Sequence, residues 1–334
     1  MGFSSSNIGA NLNTQFLLQM LRSQLNDTQR EISSGKKSET LAGLGNLGAS
    51  QSIAFRNKVN VLDGYTNNLK MAQTKFSVMD GALGSITDQA RNLMTTLRAQ
   101  LQGGSPKSAI LSNEADTNLQ RVAELLNTQV NGQYLFTGDN IYNTAFSSMT
   151  TLDTNIGGLN TGFLAGSPTV SSVVTAARAV TTSNLGYSAG VLSAGNVSFR
   201  ADDSLDIDYT VNASQSGFAD ILRGMNLIKN LPAPTNATEQ TNYWTVVNAA
   251  IQLLDQGAAA VDQYQGTLGN SAKLVDDLIS QHSEVSGNYQ QFIGDIEDAD
   301  VAESATRLQS LQTQIQMSYT LIGQLKDLSL INFL

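Results

Sequence analysis

The chain has 334 residues, 41% of them hydrophobic, enough to bury a sizeable core and to fill two or three domains. Acidic residues outnumber Lys and Arg by 28 to 19, and the cations are scattered, so binding of nucleic acid through counterion release is disfavoured. Cysteine is absent, which excludes disulfides, cysteine-ligated metals and thiol nucleophiles.

At the front, Met1 to Ala10 has neither a basic n-region nor an apolar h-region, and nowhere do about 18 apolar residues run together. The expectation is a chain with no Sec-type signal and no membrane span, which can leave a cell only through a dedicated export machine. Leu12, Phe16, Met20, Leu21, Leu25 and Ile32 then recur at helical spacing and predict a first amphipathic helix.

The strongest pattern follows. Leu62, Tyr65, Leu69, Ala72, Phe76, Met79, Leu83, Ile86, Ala90, Leu93 and Leu97 alternate in steps of three and four, and every one is apolar. A 3.5-residue repeat keeps one stripe turned toward a partner, so this is a coiled-coil-like rod of roughly 40 residues that cannot stand alone. Gly103-Gly104-Ser105-Pro106 breaks it with a turn, and Leu111, Ala115, Leu119, Val122, Leu126 and Val130 form a shorter helix running back.

From about Ser147 to Pro234 the composition shifts to Gly, Ser and Thr, with short apolar runs such as Val170 to Val174. Leu205, Ile207, Tyr209 and Val211 alternate with Ser204, Asp206, Asp208 and Thr210 as in a half-buried strand, and Phe218, Ile221, Leu222 and Met225 suggest a short helix. The heptad resumes at Val261, Tyr264, Leu268, Ser271, Val275, Leu278, His282, Val285, Tyr289, Phe292 and Ile296, and extends upstream through Tyr243, Val246, Ile251 and Leu254 to more than 50 residues. The last helix carries Val301, Ala305, Leu308, Leu311, Ile315, Tyr319, Ile322 and Leu325, and the chain ends in the apolar Leu328, Leu330, Ile331, Phe333 and Leu334. A free terminus ordinarily frays, so either a docked helix within one molecule or an intersubunit core covers this tail.

The resulting fold class is mainly α: long N- and C-terminal helices in a coiled-coil-like bundle with a small inserted domain containing β structure. Three layers are expected: 1-45 with 300-334 as terminal helices, 46-146 with 235-299 as the helical bundle, and 147-234 as the inserted outer domain.

No catalytic, cofactor or metal site emerges. His282, the single histidine, lies on the heptad seam, where a polar residue sets register. Asp202, Asp203, Asp206 and Asp208 could attract calcium but lack an EF-hand spacing and read as a solvated strand face. Glu297, Asp298 and Asp300 precede a helix, where carboxylates suit the positive end of its dipole. The sequons at Asn196, Asn212 and Asn236 are background in an Asn-rich chain.

Several segments together resemble one family. Ile32-Ser33-Ser34-Gly35-Lys36 looks like the segment closing the first terminal helix of bacterial flagellins, and Asp295-Ile296-Glu297-Asp298-Ala299-Asp300 looks like their acidic stretch before the last helix. Leu328-Ser329-Leu330 and Leu334 are similar to their apolar terminus. Asn131-Gly132-Gln133-Tyr134-Leu135-Phe136-Thr137-Gly138 resembles the Gly-x-Tyr-x-Phe-x-Gly of the hook-filament junction branch, hook-associated protein 3, with Tyr134, Phe136 and Gly138 as its marks. In place of the Asp-Asp-Ala-Ala-Gly of many flagellins stands Glu39-Thr40-Leu41-Ala42-Gly43-Leu44-Gly45. The resemblance implies a non-enzymatic structural subunit, exported unfolded through the flagellar secretion channel with a chaperone. It implies helical assembly outside the cell with copies of itself and with other flagellar axial proteins. A main filament flagellin is the alternative within the family, and a soluble coiled-coil scaffold or signalling module the alternative outside it. A secreted binding protein or enzyme would need a pocket in the inserted region.

Overall fold

The computed structural model describes residues 4–104, 106–209 and 211–331, and its dominant elements are the helices that the periodicity predicts. In chain order they are α1 (Ser4–Ser34), a 3-10 turn (Leu41–Leu44), α2 (Gly45–Gln102), α3 (Ser108–Leu126) and the strands β1 (Gln129–Val130) and β2 (Gln133–Tyr134). The central region then contributes α4 (Met149–Leu152), a π-helical turn (Asp153–Gly157), α5 (Leu159–Ala165), α6 (Val170–Ala179), α7 (Ala189–Leu192), β3 (Ser198–Asp202), β4 (Leu205–Asp208) and α8 (Ser216–Lys229). The long α9 (Ala237–Glu297) and α10 (Val301–Ile331) complete the described chain.

Two compact units result, one made of residues 1–63 and 283–334 and the other of 64–282. In the second unit the heptad stripe of α2 is the core: Leu69, Phe76, Met79, Leu83, Ile86, Leu93 and Leu97 are all buried. Leu111, Leu119 and Val122 of α3 and Tyr243, Val246, Leu254, Val261, Leu268 and Val275 of α9 meet the same core. The turn between α2 and α3 falls at Gly104, whose φ of +75° only glycine adopts without strain.

The central region packs into that core through α8, which is buried on nearly every side. Its backbone can approach α9 closely because Gly217 faces Gly257, where an added Cβ would sit 2.8 Å from the Gly217 carbonyl oxygen. Val170 to Val174 lie in a helix opened by a capping box between Thr169 and Ser172, a local signal that the apolar run alone does not convey. The predicted strand is real but shorter. β4 stops at Asp208 and pairs antiparallel with β3, a partner the alternation does not reveal. Leu205 is exposed, whereas Ile207, Tyr209 and Val211 are buried, because a two-stranded ribbon covers only part of its inner face.

Two buried or half-buried carboxylates in this unit are well partnered. Burial would raise the Asp153 carboxyl, but hydrogen bonds from Lys229, Asn230 and Asn226 outweigh it and hold it below the usual carboxylate range. The buried Asp220 accepts from Arg223 at 3.0 Å and also from Arg178, tying α6 to α8.

Candidate assembly surface

In the unit of residues 1–63 and 283–334, α1 and α10 form an antiparallel pair. Ser304 donates to Glu31 at one end at 3.3 Å, and Arg22 donates to Tyr319 toward the other. On α1 the buried and half-buried seam positions are Thr14, Leu18, Leu21, Leu25, Thr28 and Ile32, with Gln24 and Glu31 half-buried beside them. On α10 they are Ser304, Leu308, Leu311, Ile315, Ser318 and Ile322. Both series step by three and four, which is a heptad seam. Sequence reading missed Leu18, and it missed Thr28, Ser304 and Ser318 because three small hydroxyl residues interrupt the apolar pattern. They are nonetheless among the most buried residues of the pair. Thr28 and Ser318 return their hydroxyls to the carbonyls of Gln24 and Gln314, which makes burial tolerable without a partner across the seam.

The expected assembly residues therefore divide. Leu21, Leu25, Ile32, Leu308, Leu311, Ile315 and Ile322 lie in the seam within one chain. Phe16, Met20 and Tyr319 are exposed, Phe16 by 68%. Phe333 and Leu334 lie outside the described residues, as do the side chains of Leu12, Leu325, Leu328 and Leu330. A two-helix seam covers only one stripe of each helix, and a second apolar stripe is left over. On α1 it comprises Phe16, Leu17 and Met20; on α10 Met317 and Leu321 stand one turn apart, with Val301 exposed near the start.

Beside this pair a clasp joins the segment that closes α1 to the acidic stretch between α9 and α10. Gly35, at φ +69°, turns the chain out of α1, so that Lys37 N–H donates to the Glu297 carbonyl at 2.7 Å and Ala299 N–H donates to the Gly35 carbonyl at 2.9 Å. Lys37 Nζ caps the end of α9 through the carbonyls of Asp295 and Ile296. The Glu297 carboxylate is buried and accepts a forked pair from Arg56 on α2, at 2.8 and 2.7 Å through Nη2, together with the Ser52 hydroxyl. Arg56 holds the Glu297 carboxyl below its ordinary range against the opposing effect of burial, with Ser52 and Lys36 assisting. Lys36 pairs with Asp298 at 2.6 Å and is pushed up by it. Of the acidic stretch, Asp300 caps a helix, accepting from the N–H groups of Ala302 and Glu303. Glu297 and Asp298 are ion-pair partners instead, a role that depends on Arg56 and Lys36, both distant in sequence.

The seam between α2 and α9 also departs from strict heptads. Leu278 and His282 are buried, but Val285 and Tyr289 are only half-buried and Phe292 is exposed. The buried positions move instead to Ser286 and Glu297, with Ile293 half-buried between them. A straight helix turns once per 3.6 residues, so a fixed 3.5-residue stripe drifts off the contact line. Phe55 of α2 recovers some of the displaced surface by stacking on Tyr289 at 5.6 Å and meeting Phe292 at 5.5 Å.

In the other unit, the Tyr134 to Gly138 segment is architectural. Asn131 and Gly132, at φ +53° and +76°, make the two-residue turn that suits the twist of a hairpin. Phe136 is buried against Phe218 at 6.1 Å, and Tyr134 is half-buried. Gly138 sits at φ +60°, where a Cβ would lie 2.6 Å from the Gly195 carbonyl oxygen.

Among the described residues no group of His, Asp and Glu could hold a metal ion, and no helix is long and apolar enough to cross a membrane. Two of the acidic residues near 202–208 are engaged: Asp203 accepts from Tyr65 at 2.6 Å and Asp206 from Arg200 at 2.9 Å.

Comparison with known proteins accords with this arrangement. Residues 5–141 match the bacterial flagellin N-terminal helical region, and residues 251–334 match the bacterial flagellin C-terminal helical region. No curated protein matches the chain in sequence. Among solved structures, one described as a flagellar hook-associated protein from Vibrio parahaemolyticus is similar over 75% of this chain and 97% of its own. It has 13% identity and a TM-score of 0.53, a likeness of fold.

Proposed function

This chain belongs to the bacterial flagellin family and is a structural subunit of the flagellum, and from that premise we propose that its place is the junction between hook and filament. The observation that carries assembly is the second apolar stripe on α1 and α10, centred on Phe16, Leu17, Met20, Met317 and Leu321, which the intramolecular seam leaves open. A heterologous contact that does not close on itself builds a helical array, and an apolar stripe on each of two antiparallel helices suits such a contact. In this reading the terminal layer, 1–45 with 300–334, lies innermost, and 147–234 lies farthest out. The apolar tail from Leu328 to Leu334 adds to the contact between subunits. The chain is exported through the flagellar secretion channel with a chaperone, and its partners are copies of itself and other axial proteins.

Support for the junction rather than the filament comes from the Asn131 to Gly138 segment, whose aromatic and glycine positions resemble the junction branch, with Phe136 and Gly138 built into the core. Antibody labelling of intact flagella tests the placement. A single band at the hook end is expected, and labelling along the whole length overturns the junction in favour of a filament subunit. Proteolysis separates either from a soluble coiled-coil scaffold. The free subunit should lose about 35 residues from each end, where a single two-helix seam holds the helices. Resistance of both ends counts against assembly-dependent docking.

A further inference from the structure

We propose that His282 and Asp202 form a proton-operated latch that fastens the β3–β4 hairpin to the long helices when the imidazole takes up a proton. His282 is 3% exposed, yet among the described residues neither Nδ1 nor Nε2 has a hydrogen-bond partner. A neutral imidazole offers one donor and one acceptor, and both are here sealed from water with nothing to meet. The Asp202 carboxylate stands 3.9 Å from Nε2, outside a hydrogen bond but within reach of one after a small rotation.

The hairpin is shaped to bring it there. Its register slips between Arg200 and Asp202, and a bulge of this kind re-aims the side chain next to it. Among the described residues, the other charged groups of the hairpin and the nearby Tyr65 are engaged with one another. From the hairpin, Asp203 accepts the Tyr65 hydroxyl, and Arg200 is bound to Asp206 and to the Asp203 carbonyl. From α2, the Tyr65 ring lies 6.1 Å from the imidazole and presents no charge to it. On α9, one turn before His282, stand the apolar Leu278 and Ile279. Asp202 is the carboxylate that faces the ring, and among the described residues it accepts from the Asp203 N–H, at 2.7 Å.

The sign follows. Protonation gives His282 two donors and a positive charge facing Asp202, so the hairpin is held more firmly at pH 5.5 than at pH 8. Asp202 is half-exposed and the pair is partly screened, so the gain should be roughly two- to fivefold in the hairpin's opening equilibrium.

The test is amide exchange on the full chain, expressed as protection factors to remove the intrinsic dependence of exchange on pH, with the imidazole carbon and nitrogen resonances of His282 followed in parallel. Protection of β3 and β4 should rise by that factor between pH 8 and pH 5.5, in step with the His282 resonances. Asp202→Asn, which keeps the shape and removes the charge, should abolish the rise while leaving protection at pH 8 unchanged. His282→Gln should abolish it as well, and because that change alters the core, Asp202→Asn is the deciding variant. A rise that persists in Asp202→Asn, or a His282 resonance that does not move down to pH 5.5, overturns the latch.

Discussion

Replacing Phe16 by Ser separates the seam that holds α1 to α10 from the surface that the pair offers to other subunits. Serine and phenylalanine have similar helix propensities, so α1 itself should persist. Phe16 is 68% exposed in the free subunit, and that fraction is what assembly can still bury. Fully burying such a side chain contributes about 1.5–3 kcal/mol, so about 1–2 kcal/mol is at stake. At 1.4 kcal/mol per factor of ten, the subunit concentration needed to occupy half of the available flagellar ends should rise roughly five- to thirtyfold. The assay is a titration of purified hooks or filament ends, counted by antibody labelling. The thermal unfolding of the free subunit should be unchanged. Leu21→Ala is the counterpart, because Leu21 is 6% exposed and faces the α10 seam. It should destabilise the α1–α10 pair in the monomer by about 2–3 kcal/mol, toward the low end for buried leucine, since a two-helix seam can collapse on the gap. Unchanged end-binding by Phe16→Ser, or a melting curve lowered as much as by Leu21→Ala, would refute the division of labour between the two stripes.

The clasp should be acid-labile. Because Arg56 depresses the folded Glu297 carboxyl, its stabilisation is complete above the ordinary glutamate value of about 4.3 and disappears as pH falls through and below it. Exchange of the Lys37 and Ala299 amides should therefore accelerate beyond its intrinsic rate between about pH 4.5 and 3, and in Arg56→Gln should already be fast at neutral pH. Equal protection at pH 3 and pH 7 in the natural chain argues against that account. Gly138→Ala forces both a positive φ and a Cβ into the Gly195 carbonyl, and should lower stability by about 1–3 kcal/mol in calorimetry. Gly132→Ala has the same backbone problem but open space, and should cost about 1 kcal/mol or less. A chain lacking Leu328 to Leu334 should keep its melting temperature and fail to incorporate, whereas normal incorporation shows the tail is not an assembly contact.

Much of the architecture follows from spacing alone. Eleven apolar residues from Leu62 to Leu97 leave one continuous stripe, and burial of that stripe against a returning helix is the only way to remove it from water. The same arithmetic gives α9 and the helical nature of both ends, and Gly104 and the Asn131-Gly132 pair announce turns through conformations that other residues resist. Tertiary contact decided the rest. Periodicity says that α1 and α10 are amphipathic but not which of two stripes each spends on the other. Thr28, Ser304 and Ser318 complete the seam although a hydropathy pattern reads them as surface. The slip from Phe292 to Ile293 arises because helix geometry, not the written repeat, fixes which residues meet. Arg56 and Glu297 are 241 positions apart, and nothing near either one announces the other. An apolar period is a property of one segment and can be counted along it, whereas an ion pair, a seam choice or a hairpin's docking is a property of two segments and exists only once the chain has brought them together.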